Sequence, residues 1–311
     1  MDTGAASARR RLLQAAAALL LPPARAAEEA DQPVIDRLDV AGSQIELQFA
    51  PGFDQPLRGR ARQWVERSAQ AVVAYFGRFP QPQVELLLLP TPGAGVRGGT
   101  TFGEPSPYVR LRLGVDTGEP QFHDDWVLVH EMVHLAIPRV PRRHGWLQEG
   151  LATYVEGIAR ARAGLLPAPQ LWGALAHDMP QGQPKDGDEG LDHTPTWGRT
   201  YWGGAIFCLL ADVQVRRRSG GALGLEHALR GVLAAGGSYA VAWPIERTLA
   251  VADAAVGQTT FGELYALLKD CPAPVDLPAL WQDLGVTLQA DGLARLQADA
   301  PLARLREAIA A

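Results

Sequence analysis

Residues 126–134 decide how this chain folds, and they are Trp126-Val127-Leu128-Val129-His130-Glu131-Met132-Val133-His134. The apolar residues favour a buried helix, and side chains four residues apart on a helix project from the same face. His130 and His134 have this spacing, so their imidazoles can chelate one cation. Glu131 lies on the adjoining flank, close enough to reach a metal-bound water without taking a coordination position.

A third ligand must come from further along the chain, because a catalytic zinc ion normally takes three protein ligands and leaves one position for water. Glu149 lies in Trp146-Leu147-Gln148-Glu149-Gly150-Leu151-Ala152, which is typical of a second helix after a short turn. Two helices joined in this way would bring Glu149 beside the histidine pair. His144 lies ten residues beyond His134, whereas three-histidine sites place the third histidine six beyond. Glu156 is displaced by about 10 Å along the helix, which favours a supporting or surface position.

Together these two blocks resemble the gluzincin, or peptidase MA-like, metallopeptidases, which pair His-Glu-x-x-His with a later Trp-Leu-x-Glu-Gly-x-Ala segment. The resemblance implies a zincin-like fold, a Zn²⁺ cofactor, a peptide or protein substrate, and the metal ligands His130, His134 and Glu149. A third block, Thr200-Tyr201-Trp202-Gly203-Gly204-Ala205, is similar to the Tyr-x-x-Gly segment of the aminopeptidase branches, including the glycyl aminopeptidases. That similarity implies that Tyr201 stabilises the oxyanion, since a phenol can donate a hydrogen bond to it without carrying charge.

Several residues near these blocks allow more than one interpretation. Tyr201 could simply begin a core helix, and His193 could be the second donor, a substrate ligand or a surface residue. Asp124 and Asp125 are explained by helix capping as well as by a role behind the metal ligands. The aminopeptidase branches also carry a Gly-x-Met-Glu-Asn strand whose Glu grips the free amine of the substrate. Residues 98–102 lie at about the right place but offer no carboxylate, so aminopeptidase and endopeptidase action both stay open.

The sequence therefore predicts a zinc metallopeptidase in which Glu131 is the general base for a metal-activated water and later delivers the proton to the leaving amine. Two alternatives are a non-catalytic zinc-binding relative of a peptidase and a zinc hydrolase of a non-peptide substrate. The second alternative stays open because the ligand set fixes the attacking water more firmly than the substrate. Glu131 argues against the non-catalytic alternative, because a glutamate that is not a metal ligand is needed for catalysis rather than for zinc binding.

Residues 1–26 have the layout of a signal peptide. Arg9-Arg10-Arg11 precedes an apolar run over 12–21, and Ala24-Arg25-Ala26 is a small-residue cleavage site. We therefore expect export, by a general or a twin-arginine route, to the periplasm or the medium, with no membrane anchor after cleavage. Losing four Arg and one Asp would change the formal charge from −5 to −8. An acidic surface argues against nucleic acid as a partner.

The remaining patterns predict an α+β fold in one peptidase domain over 27–311. A small mixed sheet and a helix are expected in an α/β lobe over 27–118, zinc-site helices over 119–220 and a helical C-terminal part over 221–311. The predicted strands lie in 34–50, 84–89 and, as an edge strand, 108–113, and the Gly- and Pro-rich stretch 91–107 is predicted to be a loop. The predicted helices lie near 60–76, 124–136, 147–162, 200–218, 222–235, 260–270 and 302–309.

Composition adds little about function. The chain has 311 residues, of which 47% are hydrophobic and 20% charged, which is typical of an ordinary globular protein. Cys208 and Cys271 could pair in an oxidising compartment, or Cys208 could be a core residue of an apolar helix face. The polar segment 180–192 is long enough to form a loop over the site. The oligomeric state is left open.

Overall fold

The structure, a computed structural model, describes residues 33–311, so the predicted signal peptide lies outside the described residues. A mixed five-stranded sheet forms the N-terminal part, with the strand order β1-β2-β3-β5-β4. The strands are β1 (Val34–Val40), β2 (Ser43–Phe49), β3 (Gln83–Thr91), β4 (Val96–Phe102) and β5 (Tyr108–Gly114). Strands β2, β3 and β5 are parallel, whereas β1 and β4 pair antiparallel at the two edges.

The rest of the chain is mainly helical, which confirms the predicted α+β class. The α-helices are α1 (Gln55–Phe76), α2 (Glu119–Asp124), α3 (Val127–His134), α4 (Gly145–Arg162), α5 (Ala168–Asp178), α6 (Gly204–Arg218), α7 (Leu225–Ala234), α8 (Ile245–Val256), α9 (Thr260–Leu268), α10 (Leu277–Leu284) and α11 (Ala303–Ala310). A π-helical turn, Arg199–Gly203, precedes α6, and a small hairpin is formed by β6 (Val286–Leu288) and β7 (Ala294–Leu296). No helix within residues 33–311 combines the length and apolar character needed to span a bilayer.

Helix α1 joins the sheet to the helical part, because it contacts β1 as well as α3 and α4. It begins five residues before the predicted start, since the Asp54 side chain accepts a hydrogen bond from the Leu57 N–H at 2.7 Å. It ends at Gly77, whose φ of 75° gives the left-handed C-cap that glycine favours. Trp64 and Tyr75 on its inner face are almost fully buried. One apolar core therefore continues from the sheet into the helices that carry the candidate ligands.

Two predictions about the sheet are wrong. Residues 96–102 form strand β4 rather than a loop, and β5 consequently lies inside the sheet instead of at its edge. Gly98 and Gly99 obscure the strand in the sequence, and a shift in the pairing with β5 between Val96 and Gly99 breaks its alternation. The edge strand next to the candidate site, β4, was therefore not predicted, because its glycines are typical of a loop.

Helices α2, α5, α8 and α10 are missing from the sequence prediction. In α5 and α10 a proline lies in the first turn, Pro169 and Pro278 respectively, where it is compatible with a helix although it resembles a breaker in the sequence. Helix α8 follows directly after Pro244.

The two cysteines are both free in the structure. Cys208 is buried on α6, as the core interpretation predicts, whereas Cys271 is exposed. The disulfide alternative is therefore wrong for this structure. The exposed position of Cys271, after the end of α9, keeps it out of the core that holds Cys208.

The polar segment 180–192 is held against the C-terminal end of α9. The Leu191 and Asp192 N–H groups donate to the carbonyls of Leu268 and Lys269 at 2.9 and 3.0 Å. Of this segment, Gln181 alone lines the cavity that adjoins His130. The rest of the segment does not cover the candidate site.

Candidate metal centre

Helix α3 is fixed at its start by Asp125. The Asp125 carboxylate accepts hydrogen bonds from the N–H groups of Val127 and Leu128 at 3.2 and 3.1 Å, and from Trp64 Nε1 at 3.2 Å. The capping interpretation of Asp125 thus accounts for its contacts, and burial raises the pKa of its carboxyl. Because the apolar face of α3 packs into the core, its polar face presents the two histidines to α4.

The side chains of His130, His134 and Glu149 converge. Glu149 Oε2 lies 3.3 Å from His130 Nε2 and 3.6 Å from His134 Nε2. One potential ligand atom from each of the three residues lies within 4.8 Å of the others. Both histidines are buried, at 5% and 6% exposure, and Glu149 is partly buried. The turn between α3 and α4 therefore places the three predicted ligands around one point.

The charges of these groups suit a cation. Burial acts to raise the pKa of the Glu149 carboxyl, but the two imidazoles outweigh it and hold that pKa well below its usual range. Burial lowers the pKa of His130, which favours the neutral ring with a free lone pair. Burial acts in the same direction on His134, but Glu149 outweighs it and raises the pKa of that ring. The cluster thus offers one ionised carboxylate and two imidazoles.

Two imidazole nitrogens and one carboxylate form a donor set that fits zinc, and three protein ligands are the number that a catalytic zinc site uses. The Nδ1 atoms of both histidines are buried without a hydrogen-bond partner in the described part of the chain. Aromatic rings pack against both imidazoles. Trp126 and His130 form an edge-to-face pair with centroids 5.7 Å apart, and the centroid of the Tyr239 ring lies 6.1 Å from that of His134.

Glu131 is held by the edge strand β4. The Thr101 hydroxyl lies 2.7 Å from Glu131 Oε2 and 2.8 Å from the Glu131 carbonyl oxygen. Gly99, two residues earlier, lets the strand approach, because a Cβ there would lie 2.6 Å from Glu131 Cγ and 2.7 Å from Leu111 Cδ2. Residues 98–102 thus contribute a glycine contact and a hydroxyl rather than a carboxylate.

Tyr201 reaches the cluster through a close helix crossing. Its ring stacks on His130 with centroids 6.3 Å apart. Burial, followed by the charges of Glu149 and Glu131, raises the pKa of Tyr201 to about 12, so the phenol keeps its proton. The crossing depends on Gly150 and Gly204, because a Cβ on Gly150 would lie 2.2 Å from the Gly204 carbonyl carbon. The π-helical turn that contains Tyr201 directly precedes this contact, and π-turns occur frequently at functional sites.

Sequence reasoning missed Tyr239. It follows α7, and its N–H donates to the Leu135 carbonyl at 3.2 Å, which fixes it just beyond the end of α3. Burial, then the charges of Glu149 and Glu131, raises the pKa of Tyr239 as well. No motif surrounds it, and only the long-range contact with Leu135 brings it to the site. The cluster therefore has a tyrosine on each side.

The other residues considered in the sequence lie apart from the ligand cluster. His144 is buried, and its Nδ1 contacts Asp192 Oδ1 at 2.9 Å. His193 is half exposed, and its Nε2 contacts Asp270 at 2.9 Å. Glu156 is partly buried, its Oε2 lies 3.5 Å from Arg160 Nη1, and it lines a cavity next to His130. Glu156 is therefore a wall residue of that cavity.

Comparison with known proteins gives a result for the fold only. No protein-family model matches the chain, and no curated protein matches its sequence. The crystal structure of an aminopeptidase N family protein from Idiomarina loihiensis is similar with a TM-score of 0.65 at 13% identity, over 83% of this chain and 50% of that one. A mutant M1 zinc metallopeptidase from Deinococcus radiodurans, bound to a Tyr-Ser-Ala substrate, gives a TM-score of 0.50 at 13% identity, over 78% and 53%.

The chain thus spans about half the length of the solved structures that it resembles. At 13% identity the likeness establishes the fold, which this chain shares with the Idiomarina protein. The convergence of His130, His134 and Glu149 is a separate observation on this chain.

Proposed function

We propose that this protein is an exported zinc-dependent metallopeptidase. The observation that carries the proposal is the convergence of His130 Nε2, His134 Nε2 and a Glu149 carboxylate oxygen around one point. A fourth side chain, Glu131, is held beside this point without joining it, which is the arrangement expected of a general base. Export rests on the signal-peptide layout of residues 1–26 alone.

His130, His134 and Glu149 would hold the ion. When bound, zinc supplies a Lewis acid that polarises the scissile carbonyl and lowers the pKa of water towards neutrality. The proton transfers are carried out by a side chain of the protein. Glu131 takes a proton on its carboxylate and returns it to the nitrogen of the leaving amine.

Thr101 positions the carboxylate for that proton transfer. Its hydroxyl lies against Glu131 Oε2, whereas Oε1 has no hydrogen-bond partner in the described part of the chain and lies next to Gly99. The charge that develops on the carbonyl oxygen needs a second donor. Tyr201 fits this role because its raised pKa keeps the phenol protonated and its side chain faces the cavity beside His130.

A matched pair of variants tests the proposal. Zinc content and cleavage of a mixed peptide library are measured for the wild type, for Glu131→Gln and for Glu66→Gln, whose glutamate is exposed on α1. We expect the wild type to hold one zinc ion and to cleave peptides. Glu131→Gln should keep zinc and lose cleavage, because the amide cannot accept the proton, whereas Glu66→Gln should keep both.

Other outcomes separate the alternatives. Zinc binding with no cleavage of peptides or esters would support a non-catalytic zinc protein. Zinc-dependent cleavage of esters but not peptides would support a hydrolase of another substrate class. Cleavage by Glu131→Gln at the wild-type rate would contradict the assigned base.

A further inference from the structure

A large cavity opens beside the candidate metal centre. Its volume is about 640 Å³, within the range of 300–1,000 Å³ that is usual for ligand sites. His130 and Tyr201 line one end of it, so the cavity is continuous with the site proposed for catalysis. Its far wall is formed by α4, by the connection to α5 and by α5 itself. A group that projects from a substrate bound at the metal centre can therefore enter it directly.

The lining of this cavity is mostly apolar and aromatic. Trp126, Trp197 and Trp202 lie at the end next to His130 and Tyr201, while Leu165, Leu171 and Leu175 line the α5 side. Trp126 and Trp197 are 49% and 59% exposed, which is unusual for such large apolar side chains. Their exposure leaves apolar surface uncovered at the mouth, and exposed apolar surface of this kind marks binding sites.

The charged groups of the lining do not favour a charged ligand. Glu156 and Arg160 lie 3.5 Å apart on the α4 wall, so each partly neutralises the other. Asp124 and Asp178 add two further carboxylates. An acidic side chain would therefore be repelled. A basic side chain gains little, because Asp124 is 81% exposed and lies 3.1 Å from His123, and Asp178 lies 2.9 Å from His177, so solvent and these rings screen both carboxylates. An uncharged apolar side chain matches the remaining lining, which is mostly apolar.

We propose that this cavity receives a bulky apolar side chain, aromatic or large aliphatic, from the residue that flanks the scissile bond of a peptide substrate. This inference rests on the proposed peptidase function. Burying such a side chain, compared with alanine, gives a discrimination of about 10- to 100-fold. The cavity is thus the specificity pocket of the enzyme.

A variant that fills the cavity with a large side chain tests this pocket, and a second variant with the same substitution outside the cavity is its control. Ala174 lines the cavity and is exposed, so Ala174→Trp can fill it without displacing core residues. Ala234 is exposed at the end of α7 and is not part of the lining, so Ala234→Trp controls for the added indole. The substrates are internally quenched peptides that differ at one position, occupied by Phe, Leu, Ala, Asp or Lys. Cleavage sites are located by mass spectrometry.

We expect kcat/KM for the Phe or Leu peptides to exceed that for the Ala peptide at least tenfold, with Asp poorest. Ala174→Trp should remove this preference while changing the Ala peptide by less than threefold, and Ala234→Trp should keep the preference. A preference for Lys or Asp, or equal cleavage of all five peptides, would overturn the proposal. So would an Ala174→Trp variant that impairs every peptide equally or none.

Binding without cleavage separates this inference from the proposed function. The zinc-loaded protein is titrated with N-acetyl-phenylalaninamide and N-acetyl-alaninamide, and tryptophan fluorescence and ligand NMR report binding. Selective binding of the Phe derivative to the wild type and to Glu131→Gln, but not to Ala174→Trp, supports the pocket even if no peptide is cleaved. Zinc-dependent cleavage without selective binding would leave the peptidase function standing and reject the pocket.

Discussion

The Thr101 hydroxyl lies 2.7 Å from Glu131 Oε2, so a residue of the edge strand orients the candidate general base. Thr101 is buried, as is Glu131, and the same hydroxyl contacts the Glu131 carbonyl oxygen. Burial makes this contact more consequential than it would be in water, because a lost partner cannot be replaced freely by solvent. Strand β4 is thus connected to the chemistry through a positioning residue.

Thr101→Val should lower kcat about 10- to 100-fold with KM and zinc content nearly unchanged. The variant keeps the side-chain shape but removes a hydrogen bond to a charged group, worth about 1.5–3 kcal/mol. Thr101→Ser retains the hydroxyl and should restore most of the rate. Steady-state kinetics with metal analysis checks this. If Thr101→Ser is as slow as Thr101→Val, the Thr101 hydroxyl does not position Glu131 for catalysis.

The two tyrosines should differ in their contribution. Tyr201 lines the cavity next to His130, where a substrate would lie, whereas Tyr239 packs against His134 at 6.1 Å. We expect Tyr201→Phe to lower kcat about 100-fold, the usual effect of removing one oxyanion donor, and Tyr239→Phe to lower it less than tenfold. Single-turnover rates for both variants provide the measurement. The reverse order would assign the donor role to Tyr239.

Substrates with a blocked N-terminus should be cleaved as well as free ones. Binding of a charged amine in a partly buried site requires an opposing carboxylate. Within residues 33–311, the side-chain carboxylate hydrogen-bonded to β4 is that of Glu131, the candidate base. Each carboxylate of the adjoining cavity already lies next to a basic side chain, in the pairs Asp124–His123, Glu156–Arg160 and Asp178–His177. Acetylating the N-terminus of a cleaved peptide should therefore change kcat/KM less than threefold. A strict requirement for the free amine would contradict this prediction. It would indicate aminopeptidase action, with a carboxylate that contacts the substrate amine only in the complex.

Glu156 should make stability depend on pH. Burial raises the pKa of its carboxyl from 4.5 to about 7, with Arg160 acting in the opposite direction. Folding therefore favours the protonated form, and the wild type loses stability as the pH rises from about 4.5 to 7. Glu156→Gln removes this titration, so relative to the wild type it should gain about 1–3 kcal/mol between pH 5 and pH 8.

Denaturant unfolding at both pH values, with Glu66→Gln as the control, measures this difference. Glu66 is exposed on α1, so its replacement should have nearly the same effect at both pH values. An equal effect of Glu156→Gln at pH 5 and pH 8 would show that Glu156 titrates normally in the folded protein.

The sequence could predict those parts of the candidate site that depend on the spacing of nearby residues. The four-residue separation of His130 and His134 fixes their common helix face, and the segment after the turn brings Glu149 to them. Tyr201 was predicted from the Tyr-x-x-Gly resemblance, and its ring lies next to His130. Its approach depends on the contact of Gly150 with Gly204, 54 residues apart, which spacing alone does not reveal.

The features that sequence reasoning missed depend on long-range packing. Strand β4 exists because it pairs with β5, while its glycines suggest a loop. Tyr239 is placed by a hydrogen bond to Leu135. The cavity walls come from α2, α4, α5 and the π-helical turn, and α5 itself was not predicted. None of these has a local signal, because each arises from the way distant segments pack together.

The metal centre can be examined directly by crystallising the mature protein with zinc and collecting anomalous diffraction on both sides of the zinc absorption edge. We predict one strong anomalous peak within about 2.0–2.2 Å of His130 Nε2, His134 Nε2 and a Glu149 carboxylate oxygen. Glu131 should lie outside the coordination sphere. A zinc-soaked crystal with no peak at this position, or a peak bound by other residues, would contradict the account.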